Sequence, residues 1–105
     1  MRSRGYLTTM SLIELLELVH DRDSFLAFAQ ALAAERRQAE GIEELQIPEA
    51  TKWGVGALGW NNTCISLFIE AAMSHFEPDA EGRVIENPTW RDLAEFLYCG
   101  KIMEP

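Results

Sequence analysis

The run CISLFIEAAMSHF, residues 64–76, constrains the fold of this chain more than any other stretch. At helical spacing Ile65, Phe68, Ile69, Ala72 and Phe76 fall on one face. Thr63, Ser66, Glu70, Ser74 and Glu77 form only a narrow polar stripe opposite. A helix so distributed must be buried over most of its circumference, which requires other elements around it. The pattern therefore predicts a helix over 64–76 at the centre of a mainly α domain. Phe68→Ala is then expected to cost about 3–5 kcal/mol. The triplet Trp60-Asn61-Asn62 stands directly ahead. With Asn61 as N-cap, Trp60 and Ile65 have hydrophobic-staple spacing; with Asn62 as the cap, its side chain accepts from the N–H of Cys64 or Ile65. Both arrangements give the triplet the task of starting the helix.

Three further helices are predicted. Ser11 and Glu14 have capping-box spacing, and Leu12, Leu15, Leu16 and Val19 recur at helical intervals, giving a helix over about 11–19. Asp21 is a good N-cap, Asp23 suits the positive end of the helix dipole and Arg36 and Arg37 the negative end, so a second helix spans about 22–39 and Gly41 ends it. Asn87-Pro88 pairs a cap with the residue best suited to the first helical position. Trp90, Leu93, Ala94 and Leu97 then line one face over about 88–99, with Gly100 as the stop and Lys101 against the dipole.

Residues 41–60 carry no sustained period and contain Pro48, Gly54, Gly56 and Gly59, which reads as a long ordered connection. Val84 and Ile85 suggest a brief extended piece after the turn residues Asp79 and Gly82. The expected architecture is a single helical domain over 11–105 of about four helices, with an irregular loop, room for one short two-stranded β element, and an N-terminal extension over 1–10.

The charge balance is 9 basic against 17 acidic residues, a formal net charge of −8. That disfavours a nucleic-acid partner, whose binding depends on Lys and Arg displacing counterions. The longest apolar runs fall short of a membrane span, and MRSRGYLTT has no apolar core of a signal peptide, so a cytoplasmic protein is expected. Cys64 and Cys99 lack metal or CxxC spacing and are expected as small buried thiols.

Specific chemistry finds little purchase. Gly54 to Gly59 matches GxGxxG but lacks the preceding strand and parallel sheet that make a dinucleotide site, so these glycines are expected to form a tight turn. His20 is expected at the surface near the end of the first helix, and His75 as a half-buried packing residue without a positioned partner. Neither HExxH, GxSxG nor a P-loop lysine motif occurs, and no cofactor or metal is expected.

Three blocks, Asp21-Arg22-Asp23-Ser24-Phe25, Trp60-Asn61-Asn62-Thr63 and Asn87-Pro88-Thr89-Trp90, stand in an order that resembles a family of small uncharacterised bacterial domains marked by Ser-Arg-Glu-x-Phe, Trp-x-Asn and Pro-x-Trp. The likeness covers about residues 19–104 and departs from the pattern at Asp21 and at Met103. It implies a bacterial cytoplasmic protein of helical character and carries no activity with it.

The leading expectation is a non-enzymatic protein-interaction domain, immunity-like or accessory, whose acids Glu43, Glu44, Asp79 and Glu81 face a basic protein partner. The alternative is a small-molecule-binding protein or small enzyme with a pocket near Trp53, Trp60 and His75. A homodimer with the apolar loop as its interface is a third arrangement.

Overall fold

The computed structural model describes residues 10–45 and 56–104. Among these the chain forms four α-helices and no strand: α1 (Leu12–Glu17), α2 (Arg22–Glu43), α3 (Ile65–Ala72), continued by a 3-10 turn (Met73–Phe76), and α4 (Trp90–Ile102). The extended piece expected at Val84 and Ile85 pairs with nothing among the described residues.

Capping boxes start three of the four helices, each satisfying N–H groups that the first turn leaves unpaired. Ser11 and Glu14 begin α1, Asp21 and Ser24 begin α2, and Thr89 and Asp92 begin α4. The last differs from the expected start at Asn87-Pro88. Thr89 pairs reciprocally with Asp92, whose carboxylate reaches back to the Thr89 N–H at 2.9 Å, and so wins the cap.

Helix α2 runs past Gly41 to Glu43, four residues beyond the expected end. A glycine in a helix costs roughly 1 kcal/mol relative to alanine. Here the last turn is held by side-chain bonds at Glu43, one of them from outside the helix. Arg36 donates to both Glu43 oxygens at 2.7 and 3.1 Å, and the Ala57 N–H donates to Glu43 Oε2 at 2.8 Å.

Helix α4, not the run 64–76, is the centre. It packs against α1, α2, α3 and the 3-10 turn, whereas α3 packs chiefly on α4. The core joins Leu15, Leu16 and Val19 with Phe28, Leu32 and Ala39 of α2, Trp60, and Ala94 of α4. Phe28 is fully enclosed. Gly100 lies directly against α3: a Cβ there would meet the Phe68 ring at 2.6 Å. The glycine expected to stop α4 is instead a helical position that makes room for an aromatic ring, and α4 continues to Ile102.

The burial expected for α3 is corrected in the same way. Ile65 is 80% exposed, Ile69 48% and Met73 53%. Phe68 is half-buried, so Phe68→Ala removes less than a core aromatic would. The run is short and apolar on nearly every side, but among the described residues it is buried chiefly at Ala71 and Ala72, with Phe68 half-buried against Gly100.

Candidate functional site

The connection into α3 organises the site. Residues 56–60 make a tight turn in which the Gly56 N–H donates to Trp60 O at 2.7 Å and the Trp60 N–H to Ala57 O at 3.1 Å. Leu58 and Gly59 both have positive φ, 57° and 81°. Such angles cost a leucine strain that a glycine escapes, which explains a glycine at 59. The glycines thus serve the turn expected of them over the described part of the GxGxxG match; Gly54 lies outside the described residues.

The turn delivers Trp60 into the core, 3% exposed, between two cations. Arg36 lies 5.2 Å from the ring centroid and Lys101 5.8 Å, while Phe68 stacks at 6.2 Å. Glu35 Oε1 accepts from Trp60 Nε1 and from Lys101 Nζ, each at 2.8 Å. Lys101, expected to meet only the helix dipole, is therefore a buried ion-pair partner.

The asparagines of the triplet do not start α3. Its N-cap is Cys64, without a side-chain cap hydrogen bond. Asn62, 3% exposed, donates to the carbonyls of Gly100 at 2.9 Å and Met103 at 2.7 Å, and Asn61 donates to Ile102 O at 2.6 Å. They close the C-terminal end of α4, whose last carbonyls have no partner within the helix. An N-cap could serve only one N–H of α3. At the end of α4 the two amides satisfy three carbonyls.

Beside Trp60 lies a cavity of about 380 Å³ between α2 and α3. Ala29, Leu32 and Ala33 form one wall, Ile65 and Phe68 the other, with Trp60 at the base. Arg36 and Glu40 stand at its edge, already paired with each other at 3.4 Å. Among the described residues no buried side-chain nitrogen or oxygen lacks a hydrogen-bond partner. Cys64 lines the same cavity as an exposed thiol, against the expectation of burial. The Leu67 N–H and the Ser66 hydroxyl lower its pKa.

The four acids expected to face a partner have unequal surroundings. Glu43 is taken up by Arg36 and Ala57, so its carboxylate is a structural group. Burial works to raise its pKa, yet the Arg36 hydrogen bond, the Ala57 N–H and the Arg36 charge hold it below the ordinary value. Asp79 accepts from the N–H groups of Glu81 and Arg83 and from Arg83 Nε, each at 2.9 Å, and Glu81 accepts from Arg83 at 2.9 Å. Both remain exposed. Glu44 is exposed without an ion pair among the described residues. Of the alternative pocket, Trp60 lines the cavity, His75 does not, and Trp53 lies outside the described residues.

His75 has partners that the sequence did not disclose. Its Nε2 stands 3.1 Å from Asp92 Oδ1 and 3.6 Å from Glu95 Oε1, with all three side chains mostly enclosed. Asp92-x-x-Glu95 puts two carboxylates on one face of α4, a signal present in the sequence, but the histidine lies 17 residues before the first of them. The Asp92 carboxyl is held below its ordinary range, first by the Thr89 N–H and then by His75. His20 is at the surface, as expected, with Nδ1 2.9 Å from Leu18 O.

No family model, curated protein or solved structure matches the chain. The residues that carry the resemblance to small bacterial domains have clear structural tasks: Asp21 caps α2, Trp60 and Asn62 lock the turn onto α4, and Trp90 packs on Phe25 at 5.6 Å. No helix among the described residues is long and apolar enough to cross a membrane.

Proposed function

We propose that this chain is a non-enzymatic protein-interaction domain of the bacterial cytoplasm, and that it docks a basic amphipathic helix of a partner protein on α3. One observation carries the reading. Ile65, Ile69 and Met73, one helical turn apart, present an exposed apolar stripe next to the cavity. Spaced at i, i+4 and i+8, they lie along one face, as the anchors of a helix that packs its apolar side against a partner helix do. The charge of the chain selects the partner's sign: Glu70 beside the stripe and Glu40 at the cavity edge are exposed, and the whole chain carries −8. Opposite charges around an apolar contact speed association and reject wrong partners. Two free thiols, Cys64 and Cys99, suit a reducing compartment.

A synthetic Leu/Lys amphipathic helical peptide is the probe. It is expected to bind the protein, to lose affinity as salt rises, and to lose it altogether with Ile65→Asp/Ile69→Asp; a Leu/Glu peptide of the same pattern should not bind. Equal affinity for both peptides, or for parent and variant, would overturn the reading. Self-association of the protein that blocks peptide binding would replace the peptide with a second copy of the chain.

The cavity favours a small-molecule reading instead, since its volume falls in the range of ligand sites. Its buried polar atoms already have hydrogen-bond partners, however, and Arg36 and Glu40 at its edge are paired with each other, which leaves few groups to orient a ligand. Ligand-induced stabilisation by members of a metabolite panel, lost on filling the cavity with Ala33→Phe, would support it.

A further inference from the structure

We propose that His75, Asp92 and Glu95 form a zinc-binding site joining the 3-10 turn to α4. A tetrahedral zinc ion with bonds of about 2.0–2.2 Å to nitrogen and oxygen sets its ligand atoms roughly 3.3–3.6 Å apart. His75 Nε2 stands 3.1 Å from Asp92 Oδ1 and 3.6 Å from Glu95 Oε1, so the two measured edges bracket that span. One ligand atom from each residue lies within 4.8 Å of the others.

The supports behind these atoms make the cluster a built site. The other Asp92 oxygen accepts from Thr89 N at 2.9 Å and Thr89 Oγ1 at 3.0 Å, which fixes the carboxylate and leaves Oδ1 directed at the histidine. The other Glu95 oxygen accepts from Arg91 Nε at 2.9 Å, leaving Oε1 likewise directed. Phe76 holds the imidazole edge-on at 5.0 Å and itself packs on Phe96 at 5.7 Å. Carboxylates hydrogen-bonded behind the metal-facing oxygen are the arrangement that orients ligands in metal sites. On binding, the imidazole enters as the neutral ring with its Nε2 lone pair on the metal, and the proton on that nitrogen leaves to Nδ1 or to solvent. Three protein ligands leave a fourth position for water or for a donor brought by a partner. The site is separate from the α3 stripe and does not depend on the docking proposal.

The test uses tag-free full-length protein titrated with zinc sulfate, together with cobalt(II) as a spectroscopic substitute. One equivalent of zinc is expected, with an upward shift of Tm and the intense visible absorption of tetrahedral cobalt. His75→Gln should abolish binding, and Glu95→Gln, which leaves the Thr89–Asp92 cap intact, should weaken it at least about tenfold, since loss even of supporting groups costs about 10–100-fold. Cys64→Ser/Cys99→Ala should bind as the parent does. Absence of binding at sub-millimolar zinc, equal affinity in His75→Gln, full affinity in Glu95→Gln, or loss of binding in the cysteine variant would each overturn the assignment. Glu95→Gln keeps the test open if His75→Gln does not fold.

Discussion

Two acidic regions with the same chemistry do different work in this molecule. On α2, Glu35 and Glu43 are enclosed and each serves more than one donor: Glu35 takes Trp60 and Lys101, Glu43 takes Arg36 and the Ala57 N–H. In the loop before α4, Asp79 and Glu81 gather Arg83 and neighbouring N–H groups in open solvent, where Arg83 is 75% exposed. Solvent-exposed ion pairs contribute little because water screens them, whereas removing one member of an enclosed pair strands its partner. The position of a carboxylate relative to Trp60 therefore decides whether it holds the fold or shapes a surface.

The sharpest way to break that contrast is at its hinge. Trp60→Ala is expected to cost about 3–5 kcal/mol in urea unfolding, because it opens the core and releases both Glu35 and Lys101. Glu43→Ala should cost about 1.5–3 kcal/mol, the range for hydrogen bonds to charged groups. Asp79→Ala should move Tm much less, and equal losses would erase the distinction between the regions. The Glu43 contribution has a defined sign with pH. Its carboxyl titrates below its ordinary value of 4.5, so the stabilisation is complete above that pH and disappears as pH falls through the lower folded value. The gap between parent and Glu43→Ala, followed by thermal melts, should narrow below about pH 4.5. Asn62→Ala is expected to cost about 1–3 kcal/mol by leaving the Gly100 and Met103 carbonyls unpaired. Ile69→Asp should change stability by no more than about 0.5 kcal/mol while removing peptide binding, since a surface position away from caps and core tolerates substitution. Last, a thiol reagent near neutral pH should label Cys64 before Cys99. Neighbouring donors lower the pKa of the first, while burial, foremost, raises that of the second.

Much of the helical plan was legible in the sequence because its determinants are local. Ser11 with Glu14 and Asp21 with Ser24 lie within one turn of each other, and the apolar spacing of α1, α2 and α4 needs no tertiary knowledge. What escaped depends on distance. Gly41 and Gly100 looked like helix ends because glycine usually is one, but Glu43 is anchored from Ala57, and Phe68 requires the space at Gly100. Asn61 and Asn62 have the residue type and position of N-caps, and only the fold shows the α4 carbonyls that claim them. The run 64–76 looked central because hydrophobicity alone does not say how much of a helix its own chain buries; Ile65 and Ile69 are apolar yet exposed. Of the functional residues expected, Trp60 lines the cavity, while Glu43 turned out to be a strut. The partners of His75 lie across a gap no local pattern spans.

The grip of Asn61 and Asn62 on carbonyls about forty positions later also orders assembly in time. During synthesis the turn bearing Trp60 emerges well before the final turn of α4 exists, so it must wait without its lock. Over that interval Trp60 has Glu35 and Arg36 of α2 beside it but lacks Lys101, and Phe68 lacks α4, so the nascent chain is more open to the wrong contacts. A codon change that slows translation between residues 64 and 100 would lengthen that wait without altering a single atom of the finished protein.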